Sequence, residues 1–375
     1  MTDSLFVGVS KSLNTSYIQY WAGDILDNMI YVDSYEELAQ FNNKIIIIES
    51  CEANHNFELT KKLLQQNYLI FCNFYECVDS DRNFKSLYAD LLHDFTNYAV
   101  LGNSNSSFGR LFTNLNEFYF ATVNEPNRLR MLHTTDKIFS THNKPFKFLY
   151  LNGKSRQHRI ELWKKLENNN TLPLSLHSWL DSISFAEHSI PVTLLPFEYD
   201  SPFINGGIVH LYKEDWPRYR QLKNHQWRNH WIKGHIVPSQ YINTYFTVVA
   251  ETTVDGAPFL TEKIFKPILA GHPFIALASA GFYDALHNLG FKTFSPYIDE
   301  SFDHEENIHT RLTLIADQIK QLCSSDLDAF LNKTKEICLY NQHHYINSQW
   351  DLWYKVHQNL KNMLQQIIIK LPQTL

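Results

Sequence analysis

No stretch of these 375 residues approaches the roughly 18 consecutive apolar residues that a membrane-spanning helix needs. Residues 1–24 also lack the basic start and unbroken apolar core of a secretory signal, so the expected location is the cytoplasm. Five scattered cysteines, Cys51, Cys72, Cys77, Cys323 and Cys338, contain no C-x-x-C pair. That pattern argues against a disulfide framework or zinc cluster and for reduced structural thiols. Internal repeats, collagen-like periods and heptad arrays are missing, as are the phosphate loop G-x-x-x-x-G-K-[S/T], the dinucleotide turn G-x-G-x-x-G, H-E-x-x-H and G-x-S-x-G. A formal net charge of -6 speaks against a protein held to nucleic acid by bulk charge, although a local basic patch escapes such a count.

What is present fits a globular enzyme: 44% hydrophobic residues and 14% aromatic ones, in a chain long enough for two domains. The first 140 residues carry apolar β-type runs at Lys44–Ile48, Tyr68–Phe74, Tyr98–Gly102 and Phe118–Val123, separated by helix-compatible polar segments. This rhythm predicts a parallel α/β sheet. The polar stretch Thr134–Lys144 is the best candidate linker, and it places one α/β domain at residues 1–140 and a second at 141–375. In the second, a strand from Phe146 to Tyr150 leads through Asn152-Gly153 to a helix at Arg159–Leu166. Helices are expected at Glu306–Gln321, Leu327–Leu339 and Trp350–Ile369.

The most informative segment runs from Tyr245 to Phe294. An apolar strand ends at Glu251-Thr252-Thr253, a Gly- and Pro-containing loop follows, and a helix of apolar spacing starts at Thr261-Glu262-Lys263. Ala270-Gly271-His272-Pro273 then leads to the next strand, Phe274–Ala278. A cation in the first turn, Lys263, faces the positive end of the helix dipole and is mildly unfavourable there unless an anion binds. A phosphate at the free N–H groups reverses that sign. The alternative, Lys263 in solvent with Glu262 as an ordinary first-turn acid, stays open.

This order of residues resembles the donor-binding motif of the α1,3/α1,4-fucosyltransferase family, in which a glutamate-asparagine-serine strand end precedes a threonine-glutamate-lysine helix start and an alanine-glycine-x-apolar-proline turn. A weaker match is the helix at Lys154–Leu166, where Arg159 looks like the family's phosphate-contacting arginine. A third is Phe71-Cys72-Asn73-Phe74-Tyr75-Glu76, similar to the strand that ends in the family's catalytic glutamate. The resemblance implies a GT-B fold, two Rossmann-like domains facing each other across a cleft. The N-terminal domain would then serve the acceptor and the C-terminal one the nucleotide sugar, with the last helix crossing back to the first domain. Thr252 stands where the family has asparagine and Phe259 where it has tyrosine, so the identity of the donor sugar does not carry over.

The function expected on these grounds is transfer of a sugar from a nucleotide diphosphate sugar to a hydroxyl acceptor, inverting and without an essential metal or cofactor. Arg159 and Lys263 would clamp the diphosphate, and Glu251, Thr252, Thr261 and Glu262 would complete the donor site. Arg156, His158 and His272 are further donor-site candidates. Inverting transfer needs a base for the acceptor proton, and Glu76 is the choice, with Glu49, Glu52 and Asp79 as competitors. Asp79-Ser80-Asp81 leaves a metal-dependent alternative open. His225, His230 and His235 recur at a spacing that spreads them around a helix rather than pairing them as ligands. The acceptor is open among a glycan, a lipid-linked saccharide and a hydroxylated base in DNA, and oligomeric state is not read. A different class, a catalytically silent module that binds a glycan or a partner, would keep Lys263 and Arg159 but lose the base.

Overall fold

The computed structural model describes residues 4–9, 26, 28–49, 56–73, 94–102, 112–114, 134–152, 155–179, 183–185, 188–190, 238–256 and 258–374. The chain divides into two compact units, one made of Met1–Phe118 with Asp351–Leu375 and the other of Tyr119–Trp350. Each is an α/β unit built on a parallel sheet with helices, a Rossmann-like arrangement. Among the described residues no helix is long and apolar enough to cross a membrane.

The first unit carries six parallel strands: β1 (Phe6–Val9), β2 (Ile30–Val32), β3 (Ile45–Glu49), β4 (Tyr68–Asn73), β5 (Tyr98–Gly102) and β6 (Phe112–Asn114). Their order in the sheet is β2-β1-β3-β4-β5-β6. A parallel strand covered on both faces reads as a continuous apolar run rather than an alternating one, which is why Ile45, Ile46, Ile47 and Ile48 are all buried. The helix Phe57–Gln66 returns the chain from β3 to β4. It starts at Asn56, whose side chain accepts the Leu59 N–H at 3.3 Å, and it buries Thr60, Leu63 and Leu64. Those leucines join Val7, Ile46, Ile48, Leu69 and Phe71 in one core. The expected strand at Phe118–Val123 lies outside the described residues.

The second unit carries β7 (Phe148–Asn152), β8 (Ser175–Trp179), a two-stranded antiparallel ribbon of β9 (Ile183–Phe185) and β10 (His188–Ile190), then β11 (Phe246–Ala250) and β12 (Phe274–Leu277). The four parallel strands are ordered β12-β11-β7-β8. Helix Gln157–Asn168 connects β7 to β8, and helix Glu262–Ala270 connects β11 to β12. Phe148 of β7 stacks on Phe246 of β11, with centroids 5.4 Å apart, and these rings fill the sheet's interior.

Two expectations need correction. The polar segment read as a linker is helical over residues 134–140, and Thr134 and Thr135 are buried in the second unit. Its hydroxyls satisfy chain carbonyls: Thr135 Oγ1 donates to Ala270 O at 3.1 Å and accepts from Gln342 Nε2 at 2.6 Å. The two final helices are one, running without a break from Leu327 to Thr374, and its residues from Asp351 onward belong to the first unit.

Helix Glu262–Ala270 ends in a Schellman turn. Gly271 adopts φ 66°, the Gly271 N–H donates to Ile268 O at 3.1 Å, and the His272 N–H donates to Pro267 O at 2.9 Å. A Cβ on Gly271 would lie 2.6 Å from Thr135 Cγ2 and 2.8 Å from its Oγ1, and Gln342 holds Thr135 in place. Left-handed strain and overpacking together should make Gly271→Ala cost about 2–4 kcal/mol. Urea denaturation checks this: the midpoint should fall with an unchanged m value, and an unshifted midpoint would show that Thr135 yields freely.

Candidate functional site at the sheet switch point

The order β12-β11-β7-β8 reverses direction between β7 and β11, because the chain leaves β7 toward β8 on one side and later adds β11 and β12 on the other. In open parallel sheets the loops after two such strands diverge, and the crevice between them at the carboxyl edge is where ligands bind. The loop after β7 leads to Arg156, His158 and Arg159. The loop after β11 carries Glu251 and Thr252 and leads to Thr261, Glu262 and Lys263. The switch point therefore gathers the candidate residues from both segments.

Glu251 follows β11 and its side chain has no exposure. Burying a carboxylate is costly unless it is paired and hydrogen-bonded. Here Thr261 Oγ1 donates to Glu251 Oε2 at 2.6 Å, the Thr261 N–H to Oε1 at 3.4 Å and the Thr252 N–H to Oε2 at 3.3 Å. Lys263 Nζ stands 3.7 Å from Oε2 with its side chain 25% exposed. The same ammonium donates to Thr252 Oγ1 at 3.1 Å and to Thr261 Oγ1 at 3.0 Å. Thr261 is also the N-cap, its hydroxyl oxygen accepting the Lys263 N–H at 3.3 Å. One short-range network thus fixes the strand end, the helix start and the lysine.

Arg159 is turned inward. Its Nη2 donates to Ala250 O at 3.0 Å and to Glu251 O at 2.9 Å, so it straps the end of β11 to helix Gln157–Asn168. His158 Nε2 donates to Glu251 O at 3.0 Å, which fixes the neutral tautomer with its proton on that nitrogen. Burial pushes the His158 imidazole down to about 4, and the charges of Arg159, Arg156 and Lys263 push in the same direction. Three cations therefore act on one neutral ring, and one of them, Lys263, stands beside the enclosed carboxylate of Glu251. Arg156 is the N-cap residue of its helix, its carbonyl accepting the N–H groups of Arg159 and Ile160.

Several expectations change with this geometry. Glu251 faces Thr261 and Lys263 rather than a ligand, because its carboxylate is enclosed. His272 does not belong to the carboxyl edge. It precedes β12, its Nε2 donating to Thr244 O at 2.9 Å and its Nδ1 accepting from Thr247 Oγ1 at 2.9 Å, so it packs at the amino end of the sheet. Burial holds that imidazole down at about 3. Glu262 is the first residue of its helix. Glu76, Glu52, Asp79, Asp81, His225, His230 and His235 lie outside the described residues, while Glu49 closes β3 and is half-buried.

A potential metal-ligand group not read in the sequence is Asp284, Asp303 and His304, whose ligand atoms lie within 4.8 Å of one another. Asp303 already accepts the Tyr283 N–H at 3.0 Å and so serves the start of helix Phe282–Asn288. Set against known protein families, curated proteins and solved structures, the chain matches none.

The two depressed histidines set a pH dependence. Each is neutral when folded and takes up a proton near 6.5 when unfolded, so the unfolded state binds more protons as pH falls from 6.5 toward 4. The contribution of these two histidines is thus full above pH 7 and declines through that window, by on the order of 2 kcal/mol per histidine at pH 5, while the raised carboxyl of Glu300 works in the opposite direction. Denaturant midpoints of the parent and of His158→Gln at pH 7.5 and 5.0 isolate the share of His158: the variant should lose about 2 kcal/mol less than the parent between the two pH values. A slope identical to the parent's would mean that His158 titrates normally in the folded chain.

Proposed function

We propose that the chain is a glycosyltransferase of the GT-B type, whose second unit binds a nucleotide diphosphate sugar at the β7/β11 switch point. The observation that carries this reading is that Arg156 and Arg159, at the start of one helix, and Lys263, in the first turn of another, act on the same buried imidazole, His158, at that edge. Such a site favours an anion of more than one negative charge, as a diphosphate is. Lys263 is partly exposed and its position is fixed from behind by Thr252, Thr261 and Glu251, which is the preorganisation that leaving-group stabilisation requires. The resemblance to the fucosyltransferase motif supports the same assignment.

In the proposed reaction the acceptor oxygen attacks the anomeric carbon, the bond from that carbon to the β-phosphate oxygen breaks, and the nucleoside diphosphate leaves with the bonding electrons. Its new negative charge is met by Lys263 and by the helix start at Thr261–Lys263, with Arg159 holding the strand end that positions them. The acceptor proton passes to a carboxylate of the first unit, for which Glu76 is the proposed base. The acceptor is a hydroxyl of a glycan, a lipid-linked saccharide or a hydroxylated DNA base.

Thermal stabilisation by GDP, UDP, CDP, ADP and dTDP sugars, with and without chelator, tests the donor site. A ligand at about 100 times its dissociation constant adds roughly 2.7 kcal/mol to a protein that binds it only when folded. One nucleotide family should stabilise the parent, and Lys263→Ala should abolish the effect. Because that variant removes the positive charge 3.7 Å from the enclosed Glu251 carboxylate, the pair Lys263→Met with Glu251→Gln removes both charges and preserves the fold. Equal stabilisation of parent and double variant, or none of the folded parent by any donor, would overturn the assignment.

A further inference from the structure

Asn152 and Trp179 are the last residues of β7 and β8 and are register partners across the sheet. They are 2% and 0% exposed, yet among the described residues neither atom of the Asn152 amide nor the Trp179 indole nitrogen completes a hydrogen bond of normal geometry, although the amide lies beside the Tyr150 hydroxyl. Each such orphan costs about 1–3 kcal/mol, and three together at one strand end are unusual in a folded chain. Alternation along β7 puts Asn152 on the face of Tyr150, whose hydroxyl donates to Arg159 O at 3.2 Å. The orphans therefore lie beneath the helix turn that carries His158 and Arg159, at the switch-point edge. Trp163 packs edge-on against Trp179, with centroids 5.2 Å apart and planes at 71°, which holds the indole against turning toward a chain acceptor.

We propose that Asn152 and Trp179 form a subsite for a ligand hydroxyl, either of the ribose or of the transferred sugar; this inference rests on the nucleotide-sugar reading of the same edge. The chemistry selects the group. The indole can only donate, while the amide both donates and accepts. A hydroxyl, with one proton and two lone pairs, satisfies all three orphan atoms. A phosphate oxygen has no proton for Asn152 Oδ1, and an apolar group satisfies none. Both side chains are covered, so the hydroxyl reaches them through a local opening of the strand ends. Leaving these groups unpaired with a deoxygenated analogue would penalise that analogue, giving the site discrimination as well as affinity.

The test measures binding of inorganic pyrophosphate, of the tightest nucleoside diphosphate from the panel, and of its sugar and 2′-deoxy forms. The proteins are the parent, Asn152→Leu and Trp179→Phe. Each variant should bind pyrophosphate as the parent does but lose about tenfold in affinity for the hydroxylated ligand. Loss already seen with the nucleoside diphosphate, and absent with its 2′-deoxy form, assigns the ribose; loss confined to the sugar nucleotide assigns the sugar. Free Asn152→Leu should melt no lower than the parent, since it removes an unpaired buried amide. Unchanged affinities in both variants would overturn the subsite. So would a lowered melting point of Asn152→Leu with unchanged affinities, which marks an ordered water only. Pyrophosphate that fails to bind the parent, while the variants still lose nucleotide affinity, would sink the phosphate clamp and leave the hydroxyl subsite standing.

Discussion

A carboxylate without solvent access, Glu251, holds the candidate site together. It stands one residue beyond β11, where the backbone carbonyls of a strand end would otherwise face the loops unsatisfied. Its oxygens take up Thr252, Thr261 and the charge of Lys263, while its own carbonyl accepts from both His158 and Arg159. Residues about 90 positions apart in the chain meet on this one amino acid. Removing the side chain would take a negative charge from beside Lys263 and the acceptor from Thr261 Oγ1, loosening the tie between the helix start and the strand end.

The sheet topology gives that arrangement its direction. Both units order their parallel strands so that the chain reverses course beside the first strand, between β1 and β3 in one and between β7 and β11 in the other. In the second unit the reversal separates the loop to Arg156–Arg159 from the loop to Thr261–Lys263. Like charges arrive from both loops at one edge, and among the described residues strand-end carbonyls meet Arg159 while threonine hydroxyls and the Glu251 carboxylate meet Lys263. Arg311 stabilises the same side from a distance, its Nη1 donating to Val254 O at 3.0 Å and Ala278 O at 2.7 Å, so that the loop after β11 and the end of β12 share one donor. A ligand carrying two negative charges would relieve the repulsion at the edge, which is the electrostatic basis of the proposed donor site.

Much of this was legible one segment at a time. Strands Tyr68–Asn73, Tyr98–Gly102 and Phe274–Leu277 lie within the apolar runs of the sequence because buried parallel strands need apolar side chains on both faces. Helix Glu262–Ala270 announced itself by Thr261 before it and Gly271 after it. Other features were hidden by their local chemistry. Thr134 and Thr135 look like linker residues because their hydroxyls are polar, but both are buried in the fold, and Thr135 donates to the Ala270 carbonyl. Separate helices were expected at Leu327–Leu339 and Trp350–Ile369, yet the polar segment between them continues the helix, with His344 donating to Leu289 O at 2.7 Å. Strand Ser175–Trp179 was missed because Ser175, His177 and Ser178 break the apolar pattern that its buried neighbours supply.

By itself the sequence determined the local elements around Glu251 and Lys263, since dipole, capping and periodicity act over a few residues. It also placed Arg159 near the start of its helix. Only the tertiary structure decided where those side chains point: Arg159 onto carbonyls, Glu251 into a closed network, and His272 to the opposite end of the sheet. It alone paired Asn152 with Trp179. Strand register and strand order are set by packing between distant segments, and no spacing within one segment encodes which strand will lie beside it.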